Sequence, residues 1–203
     1  MLPMSRLKEA GSPYHHGQLR EALLDAAFEL LGTQNVNQIS LREIARQAGV
    51  SHAAPYHYFP DRAQLLGALA EKCNALFYTA QEKAVQAQSS PTERLMALGQ
   101  AYVHFATAHP NAFSLIFDPE ICPPNGSDTS AATSVQANHE LLGRVIHDCQ
   151  AAGYFPGHDS AVVGAALWAT VHGLAHLILL GHLPEGVVPD ALRTLTATLG
   201  EQP

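Results

Sequence analysis

Residues 40–62 read SLREIARQAGVSHAAPYHYFPDR, and this stretch decides the fold. Ser40 followed three residues later by Glu43 has the form of a capping box. The hydroxyl can accept from the third helical N–H while the carboxylate reaches back to the Ser40 N–H. A short helix is therefore predicted as far as Ala48. Gly49 suits a left-handed turn position, and Ser51 can cap another helix at once. Ile44, Ala45, Ala48 and Val50 supply small apolar contacts that pack two helices near a right angle. That is a helix-turn-helix arrangement, in which the second helix enters a DNA major groove. Its exposed residues would be His52, Ala53, Ala54, Tyr56 and His57. Arg42 and Arg62 flank it and can pair with phosphate, and Tyr56 can donate to a phosphate oxygen. On spacing alone, an ordinary helical corner with no nucleic-acid role fits equally well.

Working outward, the same helical period continues on both sides and no β-alternation is sustained. A first helix is expected from about Gly17 to Gly32, with Leu19, Leu23, Ala26, Ala27, Leu30 and Leu31 on one face. Asp61 can cap a long helix carrying Leu65, Leu66, Leu69, Cys73, Leu76 and Phe77, punctuated near Gln88-Ser89. Ser90-Pro91-Thr92-Glu93 is a second capping box with Pro at the first helical position, where its missing N–H costs nothing. That helix should end at His109-Pro110, and a shorter piece should follow from Asn111 to Phe117. DPEICPPNGSDTS then reads as irregular. Further helices are expected over about 130–152, 159–181 and 189–199. The fold class is all-α.

Composition narrows the possibilities further. The 203 residues are 47% hydrophobic and only 14% charged, against a typical charged share of about 25%. That supplies a core and argues against disorder. The net charge of −7 excludes a basic nucleic-acid binder as a description of the whole chain. Yet residues 1–62 carry six basic and six acidic side chains, and the excess negative charge lies entirely in residues 63–203. Cys73, Cys122 and Cys149 are widely spaced and odd in number, which fits buried thiols in a reducing compartment better than disulfides or a zinc site. MLPMSRLKEAGSP at the N-terminus has no apolar core of a signal peptide. From Ala161 to Leu183 no Asp, Glu, Lys or Arg occurs, and about 20 apolar residues can span a bilayer. His172, His176 and His182 interrupt it and no Lys or Arg flanks it, so a buried helix is expected and no membrane partner.

The span from Tyr14 to about Leu66 resembles the TetR family of transcriptional regulators. The resemblance rests on the alanine-rich first helix, SLREIARQAGVS at 40–51, YHYF at 56–59 and the basic residue ahead of Leu65-Leu66. The Tyr14-His15-His16-Gly17 lead-in and the later Trp168-Ala-Thr-Val-His172-Gly173 look like one subgroup, whose C-terminal domain carries a Trp–His–Gly signature. The resemblance implies an N-terminal three-helix helix-turn-helix domain, residues 1–62, and a helical effector-binding and dimerisation domain, residues 63–203. It places DNA contacts on Ser40, Arg42, His52, Ala53, Ala54, Tyr56, His57 and Arg62. It also implies a cytoplasmic homodimer on a palindromic double-stranded operator, acting as a repressor by family habit and answering to a small-molecule effector. Two departures stand out: Pro55 replaces the usual apolar residue before the Tyr, and Tyr58 the commoner His. Arg62 stands where the family usually has Lys. Ala53 and Ala54 offer only methyl contacts, so hydrogen-bonded base reading would rest on His52 and His57.

In the second part, Ala161, Ala165, Ala169 and Gly173 recur every four residues, which suits close helix packing. They read either as intramolecular core or as a dimer interface, with Leu192, Leu195 and Leu199 supplying the partner face. Trp168, His172 and His176 stand at i, i+4 and i+8. Two His at that spacing can chelate a metal, but no HExxH motif and no carboxylate or Cys lies within the turn, so no metal site is assigned. Tyr102, Phe105, His109, Phe113 and Phe117 offer aromatic walls. Together with Trp168, His172 and His176 they form the candidate pocket for a small, largely apolar effector, with plain core packing as the other reading. No GxSxG, Walker loop or dinucleotide fingerprint occurs, so neither an enzyme nor a cofactor is expected. A histidine-based metal sensor and a purely structural helical dimer are the remaining alternatives.

Overall fold

The computed structural model describes residues 16–123 and 130–200, which form eight α-helices with three 3-10 turns and no strand. Tyr14 and His15 of the lead-in motif lie outside the described residues. α1 spans His16–Leu31, α2 Leu41–Gln47, α3 Arg62–Gln86, α4 Pro91–Ala108, α5 Pro110–Ile116, α6 Ser130–Ala151, α7 Ser160–Leu179 and α8 Val188–Gly200. The all-α expectation holds, and most boundaries fall where caps are written into the sequence. Ser40 Oγ accepts from the Glu43 N–H at 3.2 Å, and Asp61 accepts from Gln64 at 2.8 Å. The Ser90–Glu93 box closes in both directions. The Ser40 box does not, because Glu43 takes Gln34 Nε2 at 2.9 Å and the Arg46 guanidinium instead.

The head of the molecule packs α1 against α2 and α3. Leu23, Ala27, Ile39, Ile44, Phe59 and Leu65 are almost wholly buried between them. Lys72 on α3 pairs with Asp25 at 2.8 Å and Glu21 at 3.7 Å on α1. Gly49 adopts φ +69°, the left-handed turn that lets the chain reverse after α2 at low cost.

One expectation fails here. No α-helix follows Ser51; residues Ala54–His57 make a single 3-10 turn with Ala53 at its N-cap and no side-chain cap. Pro55 is the physical reason. It has no N–H to give the Ser51 carbonyl, and its ring crowds the carbonyl four residues back. Tyr56 N–H therefore turns to Ala53 O, three residues back, at 3.2 Å. Pro55 itself is fully buried, so it also anchors the turn to the core.

The body surrounds α4, which touches α3, α5, α6, α7 and α8. One apolar cluster runs without a break from Leu23 on α1 through α3, α4 and α5 to Leu192 on α8, so head and body share a core. A second cluster joins the far end of α3 and α4 to α6 and α7 around Ile146, Phe155 and Val163. Gly99 on α4 allows the closest approach, since a Cβ there would meet Leu192 Cδ1 at 2.8 Å.

The apolar helix α7 departs from the buried helix expected. By length and composition it could cross a membrane, yet it packs on α4 and α6. Only Val163, Leu167, Val171 and Ala175 are buried, one stripe of the 3.6-residue period. Val162, Ala165, Ala166 and Ala169 face outward.

Candidate functional site

Two regions carry the chemistry, and the first is the head. His52, Ala53, Tyr56 and His57 all lie exposed on or beside the 3-10 turn, Tyr56 at 50% exposure, and Ala54 is half-buried. Arg42 is exposed on α2, and Ser40 is exposed at its N-cap, its hydroxyl already accepting from Glu43. Arg62 is exposed too, but its guanidinium points inward along the loop. Nη2 donates to Val36 O at 2.8 Å and Nε to Ile39 O at 3.4 Å. These carbonyls belong to the 3-10 turn Val36–Gln38 and its C-cap, so Arg62 fastens the α1–α2 loop to the start of α3. Gln47 Nε2 adds a bond to Glu29 on α1 at 2.9 Å. The expected Arg62–phosphate role would draw on its remaining N–H donors alone.

The second region is a cavity of about 490 Å³ among α3, α4, α6, α7 and α8, closed on one side by the segment after α5. That is within the usual range of ligand pockets, about 300–1,000 Å³. Of the aromatic and histidine residues expected there, Tyr102, Phe117 and Trp168 line it. His172 stands directly behind: the Tyr102 hydroxyl lies 2.8 Å from His172 Nδ1, and Trp168 Nε1–H donates to the same hydroxyl oxygen at 3.3 Å. Indole can only donate, so the Tyr102 oxygen accepts from Trp168, and its O–H donates to Nδ1 in the tautomer that carries the His172 proton on Nε2. Burial, and then the neighbouring His176, holds the His172 pKa below its usual value, in agreement. Burial also pushes the Tyr102 phenol well above its usual range.

The remaining expected residues sit elsewhere. Phe113 is 1% exposed and packs on Phe77, Tyr102, Phe117 and His172 as the layer beneath the cavity. Phe105 is buried against Phe77. His109 lies between Phe105 and Phe28, where body meets head. His176 is exposed, its ring 4.7 Å from that of His172. Among the described residues no group of three or more His, Cys, Asp or Glu could hold a metal ion, and His172 Nδ1 is already committed to Tyr102.

Of the dimer-face residues, Ala161, Ala165 and Ala169 are exposed and Gly173 is half-buried. Leu192 is only 4% exposed and lines the cavity. It belongs inside its own chain, drawn in by the space over Gly99. Leu195 packs half-buried on the second core cluster.

Sequence reading missed the polar part of the cavity wall. Leu66, Ala70, Asn74, Phe77, Gln81 and Val85 are all buried along one face of α3. Two carboxamides interrupting an apolar stripe were the legible signal. Gln81, 5% exposed, gives its amide to Asn138 Oδ1 at 2.7 Å and Phe77 O at 3.3 Å. Asn74, 2% exposed, lines the cavity, and among the described residues nothing bonds its Nδ2. An unmatched buried donor costs about 1–3 kcal/mol.

Comparison with known proteins now adds two family models and several relatives. The model "Bacterial regulatory proteins, tetR family" matches residues 23–69, and "Tetracyclin repressor-like, C-terminal domain" matches residues 95–200. The chain is 39% identical over 79 residues to the HTH-type transcriptional regulator BetI of Rhizobium meliloti (strain 1021), a match covering 39% of each chain. The aligned stretch is thus about two fifths of that curated relative's length. A solved protein of unknown function from Rhodococcus sp. RHA1 superposes with TM-score 0.79 at 37% identity, covering 93% of this chain and 97% of that one. The transcriptional regulator FadR of Bacillus subtilis, solved with stearoyl-CoA, shares the fold at TM-score 0.67 and 16% identity, over 90% of this chain and 100% of its own.

Proposed function

The chain belongs to the tetR family of bacterial regulatory proteins, and from that premise we propose that two copies grip an operator and release it when a small molecule enters the cavity. The observation that carries this reading is α5. Ile116 at its C-terminal end and Phe117, its C-cap, line the cavity. At its N-terminal end Asn111 Nδ2 donates to the Leu31 carbonyl that ends α1, at 2.7 Å. A ligand that moves Phe117 therefore moves the support of the head within one seven-residue helix. Operator affinity falls by the ligand's differential binding to the gripping and released states.

In this reading the head, residues 1–62, holds DNA and residues 63–203 bind the effector and pair the copies. His52, Ala53, Ala54, Tyr56 and His57 meet the groove, with Ser40 and Arg42 on phosphate and Arg62 chiefly bracing the loop. A one-turn reading element presents few base contacts, so phosphate contacts and DNA shape supply much of the grip. Pairing uses the outward face of α7 at Ala161, Ala165, Ala169 and Gly173, which an isologous partner would cover. Two symmetric heads imply a palindromic site with half-sites about 34 Å apart. The protein acts in the cytoplasm as a repressor and catalyses no reaction.

The test is selection of duplexes from a randomised pool, followed by fluorescence anisotropy at two salt concentrations. A palindrome should emerge, bound less tightly at high salt and lost with Tyr56→Ala. No enrichment at low salt would overturn the proposal.

A further inference from the structure

We infer that the cavity takes an uncharged, mostly apolar ligand carrying a hydrogen-bond acceptor, such as a ketone or ester oxygen, that Asn74 Nδ2 meets. This deepens the effector reading of the same cavity and rests on it. Among the described residues no Asp, Glu, Lys or Arg lines the cavity. A carboxylate or phosphate drawn inside would leave water for a lining without Lys or Arg, where the ionisable base among the described residues is the exposed His139 beside Trp168, and an ammonium would meet no anion.

The wall's hydrogen-bond groups are mostly engaged with other groups of the chain. Trp168 Nε1–H is taken by Tyr102, and the Tyr102 hydroxyl is hydrogen-bonded to His172 Nδ1. Gln81 Nε2 is taken twice, Gln136 Nε2 by Glu140, and the Thr196 hydroxyl by the carbonyls of its own helix. Among the described residues Asn74 Nδ2 is a buried donor without a partner. Asn74 and Gln81 are two turns apart on one face of α3, roughly 10 Å along the axis. The fold answers one carboxamide and leaves the other unmatched on the cavity lining. Much of the lining is apolar, with Phe77, Leu98, Ile116, Leu167 and Val171 among it. Such a site orients an apolar body by one polar point.

Trp168, the single tryptophan of the chain, lines the cavity, so its emission reports occupancy. The full-length protein is titrated at pH 8 with 2-decanone, decane and sodium decanoate. Trp168 emission should respond saturably to 2-decanone, with decanoate at least tenfold weaker. Asn74→Leu should weaken 2-decanone about tenfold, leave decane unchanged and not lower the thermal midpoint, since it removes an unmatched donor. The wild-type ranking of ketone over carboxylate stands as a test whether or not that variant folds. No saturable response to 2-decanone, decanoate binding as tightly as the ketone, or an Asn74→Leu protein that binds 2-decanone undiminished overturns the inference. Operator affinity measured in the same samples separates the two proposals. Ketone selectivity without any change in DNA binding sinks the release mechanism alone, and ligand-responsive DNA binding with decanoate preferred sinks the inference alone.

Discussion

The head and the body solve the problem of holding helices together in opposite ways. In the head, polar groups work locally and at the surface: Ser40 caps α2, Arg62 binds the carbonyls of the loop behind it, and Gln47 ties α2 to α1. In the body, polar groups are drawn inside. Tyr102, His172, Trp168, Asn74 and Gln81 sit along or behind a cavity wall among packed rings. The head thus presents a defined outer surface from exposed hydrogen bonds, each worth little. The body depends on a few side chains, and altering one is costly wherever it leaves a buried partner unmatched.

The largest effect should come from Phe113→Ala. Its ring touches those of Phe77, Tyr102, Phe117, His172 and His176, and its loss should cost about 3–5 kcal/mol, measured by urea unfolding. A cost below that of a head substitution would break the comparison.

Arg62→Ala should come next, at about 1 kcal/mol for two bonds made at an exposed site. The same variant sharpens the assignment of the residue. The slope of log affinity against log salt should not change, whereas a phosphate contact would remove about 0.9 from it for each Arg62 on the operator.

The smallest effect is a pH dependence carried by His172. Its folded pKa is depressed, so the unfolded chain binds its proton first, and stability present above about 6.5 is lost as pH falls through that value. The loss is complete once pH drops below the folded pKa. Protonation would also turn Nδ1 into a donor and leave the Tyr102 hydroxyl without its acceptor. The thermal midpoint should therefore fall more between pH 7.5 and 5.5 for wild type than for His172→Gln. Equal falls would remove His172 as the cause.

These differences also explain what the sequence made legible. Caps are local grammar, and Ser40, Asp61, Ser90 and Pro91 announced their helices because the groups they satisfy lie within four residues. Gly49 was legible for the same reason. Pro55 was legible as a departure but not in its consequence, because a buried proline at that point replaces a helix by a turn rather than tilting it. In the cavity, Tyr102, Phe117 and Trp168 were found as aromatic residues on facing helices. Phe105, His109 and His176 share that composition and lie elsewhere, since helix rotation decides which side of a ring faces a space. Leu192 was assigned outward for want of knowing that Gly99 leaves room for it. Asn74 and Gln81 needed the apolar stripe of α3 to be checked for polar intruders rather than for leucines.

The bond from Asn111 to the end of α1 has a consequence for transplantation. The head is fastened to its own body by groups a different body would have to supply. Residues 16–62 moved onto a different body would lose the donor on the Leu31 carbonyl and the ring of His109 beside Phe28. Domain shuffling within such a lineage must therefore carry the beginning of α5 with the head, or find its chemical equivalent in the new host.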